Sequence, residues 1–133
     1  MRRYLFDTNI LSALIKQPRG PLAERIINLE REVFCTSIIV ACELRYGAVK
    51  KGSQTLLSKV EQLLEQIDIL PLEPEVDRHY ATIRATIEKK GQPIGANDML
   101  IAAHAQALGL TVVTANDREF SRIPDLNVEN WSS

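Results

Sequence analysis

The chain has 133 residues, 45% of them hydrophobic, which suits one globular domain over residues 1–133 with a single sizeable core. Sixteen Lys and Arg against seventeen Asp and Glu leave a net charge of -1, so no basic field advertises nucleic acid and any phosphate-binding surface has to be a local patch. No apolar run is long enough for a signal-peptide core or a membrane span, and the chain is expected to be cytoplasmic.

Tyr4-Leu5-Phe6 reads as a strand that ends abruptly in Asp7-Thr8-Asn9. Asp is a poor strand former and costly to bury unpaired. Either Asp7 serves a site at the strand's carboxyl end, or Asp7 or Asn9 caps a helix running through Ile10 to Ile15. A second strand, EVFCT at 32–36, leads to Ser37, which can cap a helix reaching about Lys50. Lys50-Lys51-Gly52-Ser53 reads as a turn into a helix at 55–67, where Leu56, Val60, Leu63, Leu64 and Ile67 share one stripe. IDIL at 67–70 is a weaker strand. Pro74 is expected to open a helix carrying Val76, Tyr80, Ile83 and Ile87 and stopped at Gly91. NDMLIAAHAQALG at 97–109 is marked at both ends, and LTVVT at 110–114 is the third strong strand. This alternation predicts βαβ units, a parallel sheet with helices on both faces, and sites at the strands' carboxyl ends. Cys35 and Cys42 form no CxxC pair and have no His at zinc-finger spacing, which predicts two buried, reduced thiols.

The carboxylates carry the chemistry. Glu43 sits in SIIVACELRYGAV among apolar neighbours; the alternative is a solvated face with Arg45 and Lys50. Asp98 opens a nearly apolar helix, where it either complements the helix dipole or belongs to a site shaped by the GQPIGAND loop. Past the third strong strand, TVVTANDREF adds Asn116, Asp117 and Glu119. Gathered in one cleft these acids would repel strongly without a cation. Oxygen ligands without His or Cys suit a hard ion, Mg²⁺ or Mn²⁺. Such an ion orients and acidifies water and stabilises charge on a pentacoordinate phosphorus, which points to phosphoryl chemistry. The chain has no GxSxG elbow, P-loop or GxGxxG after its first strand. His104, six residues after Asp98 and on roughly the opposite helix face, and His79 read as packing or surface residues. Trp131 reads as an aromatic packing back onto the domain, with base stacking as the alternative.

LFDTNIL, SIIVACELRYGA, PIGANDMLIAAHA and VTANDREF with the closing NVENW, in this order, resemble the PIN-domain ribonucleases and, within them, the VapC toxins of toxin-antitoxin modules. The resemblance implies a three-layer α/β/α fold around a short parallel sheet, and a Mg²⁺- or Mn²⁺-dependent endoribonuclease that inhibits translation. Asp7, Glu43 and Asp98 match three acidic positions of the family motif. Relatives patterned TxNxxDF carry the fourth acid just before the Phe, which maps to Glu119 as a Glu-for-Asp variant, with Asn116 on the pattern's Asn. Other PIN domains carry that acid nearer the Thr, which leaves Asp117 as the alternative. On this mapping Asp7, Glu43, Asp98 and Glu119 hold metal, and Thr8 and Asn9 orient the site. Arg45, Lys50, Arg84, Arg118 and Arg122 are candidates for phosphate contacts.

The resemblance also implies a homodimer and a VapB-type antitoxin whose tail lies in the active-site groove. It further implies an RNA substrate, with the initiator tRNA anticodon loop as the specific expectation. An aspartate-nucleophile phosphatase needs a second Asp where Asn9 stands, and a receiver domain needs paired acids at the first strand end. A catalytically silent PIN-like module that binds RNA or protein is the alternative of a different class, and the three matched acids argue against it.

Overall fold

The computed structural model describes residues 2–132. The elements follow the chain as β1 (Tyr4–Phe6), α1 (Thr8–Lys16), α2 (Pro21–Ile27), a 3₁₀ turn (Arg31–Val33), β2 (Phe34–Ser37), α3 (Ile38–Lys51), α4 (Gln54–Glu65), β3 (Asp68–Leu70), α5 (Val76–Lys90), α6 (Ala96–Leu108), β4 (Thr111–Val113), α7 (Asp117–Phe120) and β5 (Val128–Glu129). The strands form one parallel sheet in the order β3-β2-β1-β4-β5. Central positions Leu5, Phe6, Cys35, Val112 and Val113 are buried, as expected of strands covered on both faces. α1, α3 and α4 pack together and α5 packs on α6. The chain steps one way from β1 through β2 to β3 and the other way from β3 through β4 to β5, so right-handed crossovers set these two helix groups on opposite faces. This is the expected three-layer α/β fold.

The register aligns Phe6 with Thr36 and Val113, so the next residues, Asp7, Ser37 and Thr114, stand level at the sheet's carboxyl edge. Ser37 caps α3 through Ile39 N–H, and Gly52 adopts φ 63 before Ser53 caps α4, giving the expected helix-helix turn. Gly91 and Gly109, at φ 64 and φ 68, stop α5 and α6.

Some sequence expectations need correction. α5 starts at Val76 rather than at Pro74, because Glu75 takes a left-handed backbone, φ 94, that interrupts the helix. Cys35 is buried, with its thiol pushed up to about 11 by burial, but Cys42 is exposed. Position 42 falls on the outward side of α3 with exposed Tyr46 and Val49, while Val40, Ala41, Leu44 and Ala48 face the core. His104 is a core residue whose Nδ1 pairs with Ser37 Oγ at 2.8 Å, and His79 pairs with Gln106 at the same distance. Trp131 packs edge-on against Tyr4 and Phe6 and lies under the Arg25 guanidinium, so it closes the C-terminal segment onto the domain. Among the described residues, no helix is long and apolar enough to cross a membrane.

Candidate active site

The strand order reverses between β1 and β4, which opens a crevice at their carboxyl ends. Asp7 stands there, at the carboxyl end of β1, and the capping reading of its position holds. It is the N-cap of α1, with Oδ1 accepting from Thr8 N–H at 2.8 Å, and its Oδ2 accepts from Thr114 Oγ1, also at 2.8 Å. Burial raises the Asp7 carboxyl above its usual range; the Thr114 and Thr8 hydrogen bonds oppose this, and the charges of Glu43 and Glu119 add to it.

Glu43 reaches the same crevice from α3. It is half-buried, accepts from the Thr8 hydroxyl, and receives Asn97 Nδ2 at 3.5 Å, so it faces α1 and α6. It does not share a solvated face with Arg45, which forks onto Glu61 of α4 through two 2.9 Å bonds. Asp98 enters from the first turn of α6. Its carboxyl is pushed up to about 6, chiefly by burial and then by the charges of Asp7, Glu119 and Glu43. Carboxylates from four separated stretches therefore share one electrostatic field.

Glu119 comes from α7, with Oε2 held by Asn116 Nδ2 at 2.6 Å and Oε1 facing Gly95 N–H at 3.4 Å, at the start of α6. Asp117 turns away and accepts from Asn130 Nδ2 at 3.0 Å. Asn9 braces the loop after β4, accepting from Ala115 N–H at 3.1 Å and reaching Thr114 Oγ1 at 3.4 Å. The result is an open cleft of about 410 Å³, lined by Asp7, Thr8, Asn9, Glu43, Asp98 and Asn116 and continued along α1 by Ser12, Ala13 and Lys16.

Among the described residues, no group of three His, Cys, Asp or Glu side chains converges tightly enough to be a preformed metal cage. The donor chemistry nevertheless suits a hard divalent cation. Every acid is an oxygen donor, and the charges of Asp7, Glu119 and Glu43 add to burial in raising the Asp98 carboxyl. Mg²⁺ keeps several of its own waters and needs few direct protein ligands, which fits carboxylates that line a cleft without closing on one point.

Sequence reasoning missed Thr114 and the α1 stripe. Thr114 is fully buried and acts as a hub, donating to Asp7 and accepting from Asn9 and from Asn116 N–H. Its position immediately after a strand, level with Asp7, was the available signal. Ser12 and Lys16 follow Thr8 at four-residue steps, a helical spacing that would have found them once α1 was granted. Of the proposed phosphate contacts, Arg84 pairs with Glu88 and the Tyr80 hydroxyl, Arg122 leans on the Pro93 carbonyl, and Lys50 lies over Tyr46. Arg118 is exposed.

A PIN domain family model matches residues 4–126. The tRNA(fMet)-specific endonuclease VapC of Shigella flexneri is 37% identical, covering 99% of this chain and 100% of that protein. Its namesake from Salmonella typhimurium is 38% identical over 98% of this chain and 99% of its own length. A crystal structure of VapBC2 from Rickettsia felis bound to a DNA fragment from their promoter superposes with a TM-score of 0.90 at 36% identity, covering 96% of this chain and 98% of that one. With its carboxylate cleft at the switch point of a parallel sheet, the chain belongs to the PIN-domain family and, within it, to the VapC ribonucleases.

Proposed function

We propose that this chain is the endoribonuclease toxin of a type II toxin-antitoxin pair and hydrolyses RNA phosphodiesters in the carboxylate cleft. The observation that carries the reading is the meeting of Asp7, Glu43 and Asp98 in one open cleft, with Glu119 tied to its Asn116 wall. These four acids would hold Mg²⁺ or Mn²⁺, directly or through water, and the ion would supply an activated water and charge stabilisation at phosphorus. Thr8 fixes the Glu43 carboxylate, Thr114 fixes that of Asp7, and Asn116 fixes that of Glu119, so these three acids are oriented before substrate arrives. Asn9 ties α1 to the loop after β4 and keeps Asp7 and Asn116 on one wall. Asp117 bonds to Asn130 instead, which favours Glu119 as the fourth acid.

The tRNA named for the Shigella and Salmonella relatives makes tRNA the favoured substrate, with the initiator anticodon loop as the specific target, and cleavage there stops translation in the cytoplasm. The Rickettsia complex, VapBC2, supports a VapB-type antitoxin as partner. One PIN-like domain over residues 1–133 carries the activity, and the exposed Tyr46 and Val49 on α3 suit a homodimer. The test is incubation of the purified, antitoxin-free protein with total tRNA and Mg²⁺ or Mn²⁺, with cut ends mapped by primer extension. A single dominant cut in initiator tRNA is the expected result. Cuts spread over many tRNAs would remove the specific target, and intact RNA under every condition would leave the binding-module reading standing.

A further inference from the structure

We infer that Lys16, at the last turn of α1, is the residue that holds an RNA backbone phosphate next to the scissile one, so that the strand leaves the carboxylate cleft along α1. This rests on the ribonuclease reading above. The cleft is strongly acidic, and a polyanion entering it requires a cation at its mouth. Among the described residues Lys16 is the one cation that lines the cleft, and it also lines the adjoining groove between α1, α3 and α4, together with Lys51. It borders a third depression beside Lys59 as well. Among the described residues Lys16 makes no ion pair, whereas Arg45 and Arg84 are both committed to carboxylates. Lys16 thus sits where the cleft meets two further depressions, each of which adds one exposed lysine, Lys51 or Lys59, and this gives the near-neutral chain a local basic patch.

The geometry of α1 makes this patch a continuation of the site. Thr8, Ser12 and Lys16 recur every four residues, so they form one row rising about 6 Å per step. That length is comparable with the step between neighbouring phosphates of an extended strand. Thr8 is occupied by Glu43 at the acidic end, Ser12 lines both cavities, and Lys16 ends the row. The long lysine stem leans back toward the helix N-terminus, which directs its ammonium toward the cleft.

The test measures binding of a fluorescent single-stranded oligoribonucleotide against salt in an uncut Asp7→Asn background, and KM and kcat in the wild-type background. Lys16→Gln is expected to reduce the steepness of log K against log salt by about 0.7, the value of one phosphate contact on a single strand. It should raise KM roughly tenfold with kcat nearly unchanged, and Lys16→Arg should restore both. An unchanged slope, or a fall in kcat at constant KM, overturns the assignment, as does an arginine variant no better than glutamine. Binding is read without cleavage, so a wild-type protein that fails to cut would count against the nuclease reading while the slope still decides the role of Lys16.

Discussion

Thr114 Oγ1 donates to Asp7 Oδ2 at 2.8 Å across the gap between the ends of β4 and β1, and this contact joins residues 107 positions apart in the chain. Both side chains are buried, so the bond fixes the orientation of the acid at the point where the sheet's strand order reverses. Thr114→Val keeps the shape and removes the donor. It leaves a buried carboxylate short of a partner, and the expected loss is about 1–3 kcal/mol of stability, read from the denaturant midpoint. Thr114→Ser should keep most of it.

Asp98 carries a stability signature with a defined sign. Its folded-state pKa lies near 6 against an ordinary 3.8, so the folded protein binds the proton more tightly than the unfolded chain. In metal-free buffer the stability contribution of this group is most favourable below about pH 4 and is lost as pH rises through about 6. Asp98→Asn removes that loss. After discounting for solvent around a half-buried group, the variant should be about 1 kcal/mol more stable at pH 7.5, a rise in Tm of roughly 3–5 °C, and no different at pH 4. Melting at the two pH values checks the sign.

The same repulsion makes a divalent ion a stabiliser. Adding Mg²⁺ or Mn²⁺ at 100 times its Kd should stabilise the wild type by about 2.7 kcal/mol, with a smaller gain for Asp98→Asn, in thermal melts with and without EDTA. Acidification below about pH 6 should weaken the effect as protons compete for Asp98.

Glu119 and Asp117 are separated by their partners. Glu119→Gln should lower RNA cleavage roughly 10–100-fold, the range found when a residue that orients a metal site is lost. Asp117→Asn affects an exposed bond to Asn130 and should leave cleavage within about twofold. Initial rates on one RNA substrate decide between them.

The fold was legible where local signals agreed. The three short apolar runs became β1, β2 and β4, and Ser37, Gly52, Ser53, Gly91 and Gly109 mark the helix ends that their chemistry predicts. The helix start at Pro74 failed because a local turn, with Glu75 at φ 94 and its N–H on Asp77 Oδ1, separates Pro74 from the helix. β5 and α7 are two and four residues long, too short for any periodicity to register. At the site, the acids stood out because a carboxylate at a strand end or in an apolar helix needs a reason. The groups that orient them did not. Thr114 is unremarkable until the register of β4 against β1 places it beside Asp7, and Lys16 is one lysine among many until α1 points it along the cleft. The pairing of Arg45 with Glu61 and of Arg84 with Glu88 was likewise invisible to one-dimensional charge.

The most direct measurement is cleavage of total RNA by purified, antitoxin-free protein with Mg²⁺ or Mn²⁺ against EDTA, with Asp7→Asn alongside. Asn caps a helix as well as Asp does, so this variant keeps the start of α1 and removes only the charge. Discrete fragments that need the metal and vanish in the folded Asp7→Asn protein are the predicted result. Equal cleavage by the variant, or fragments that persist in EDTA, would contradict a metal-dependent nuclease centred on Asp7.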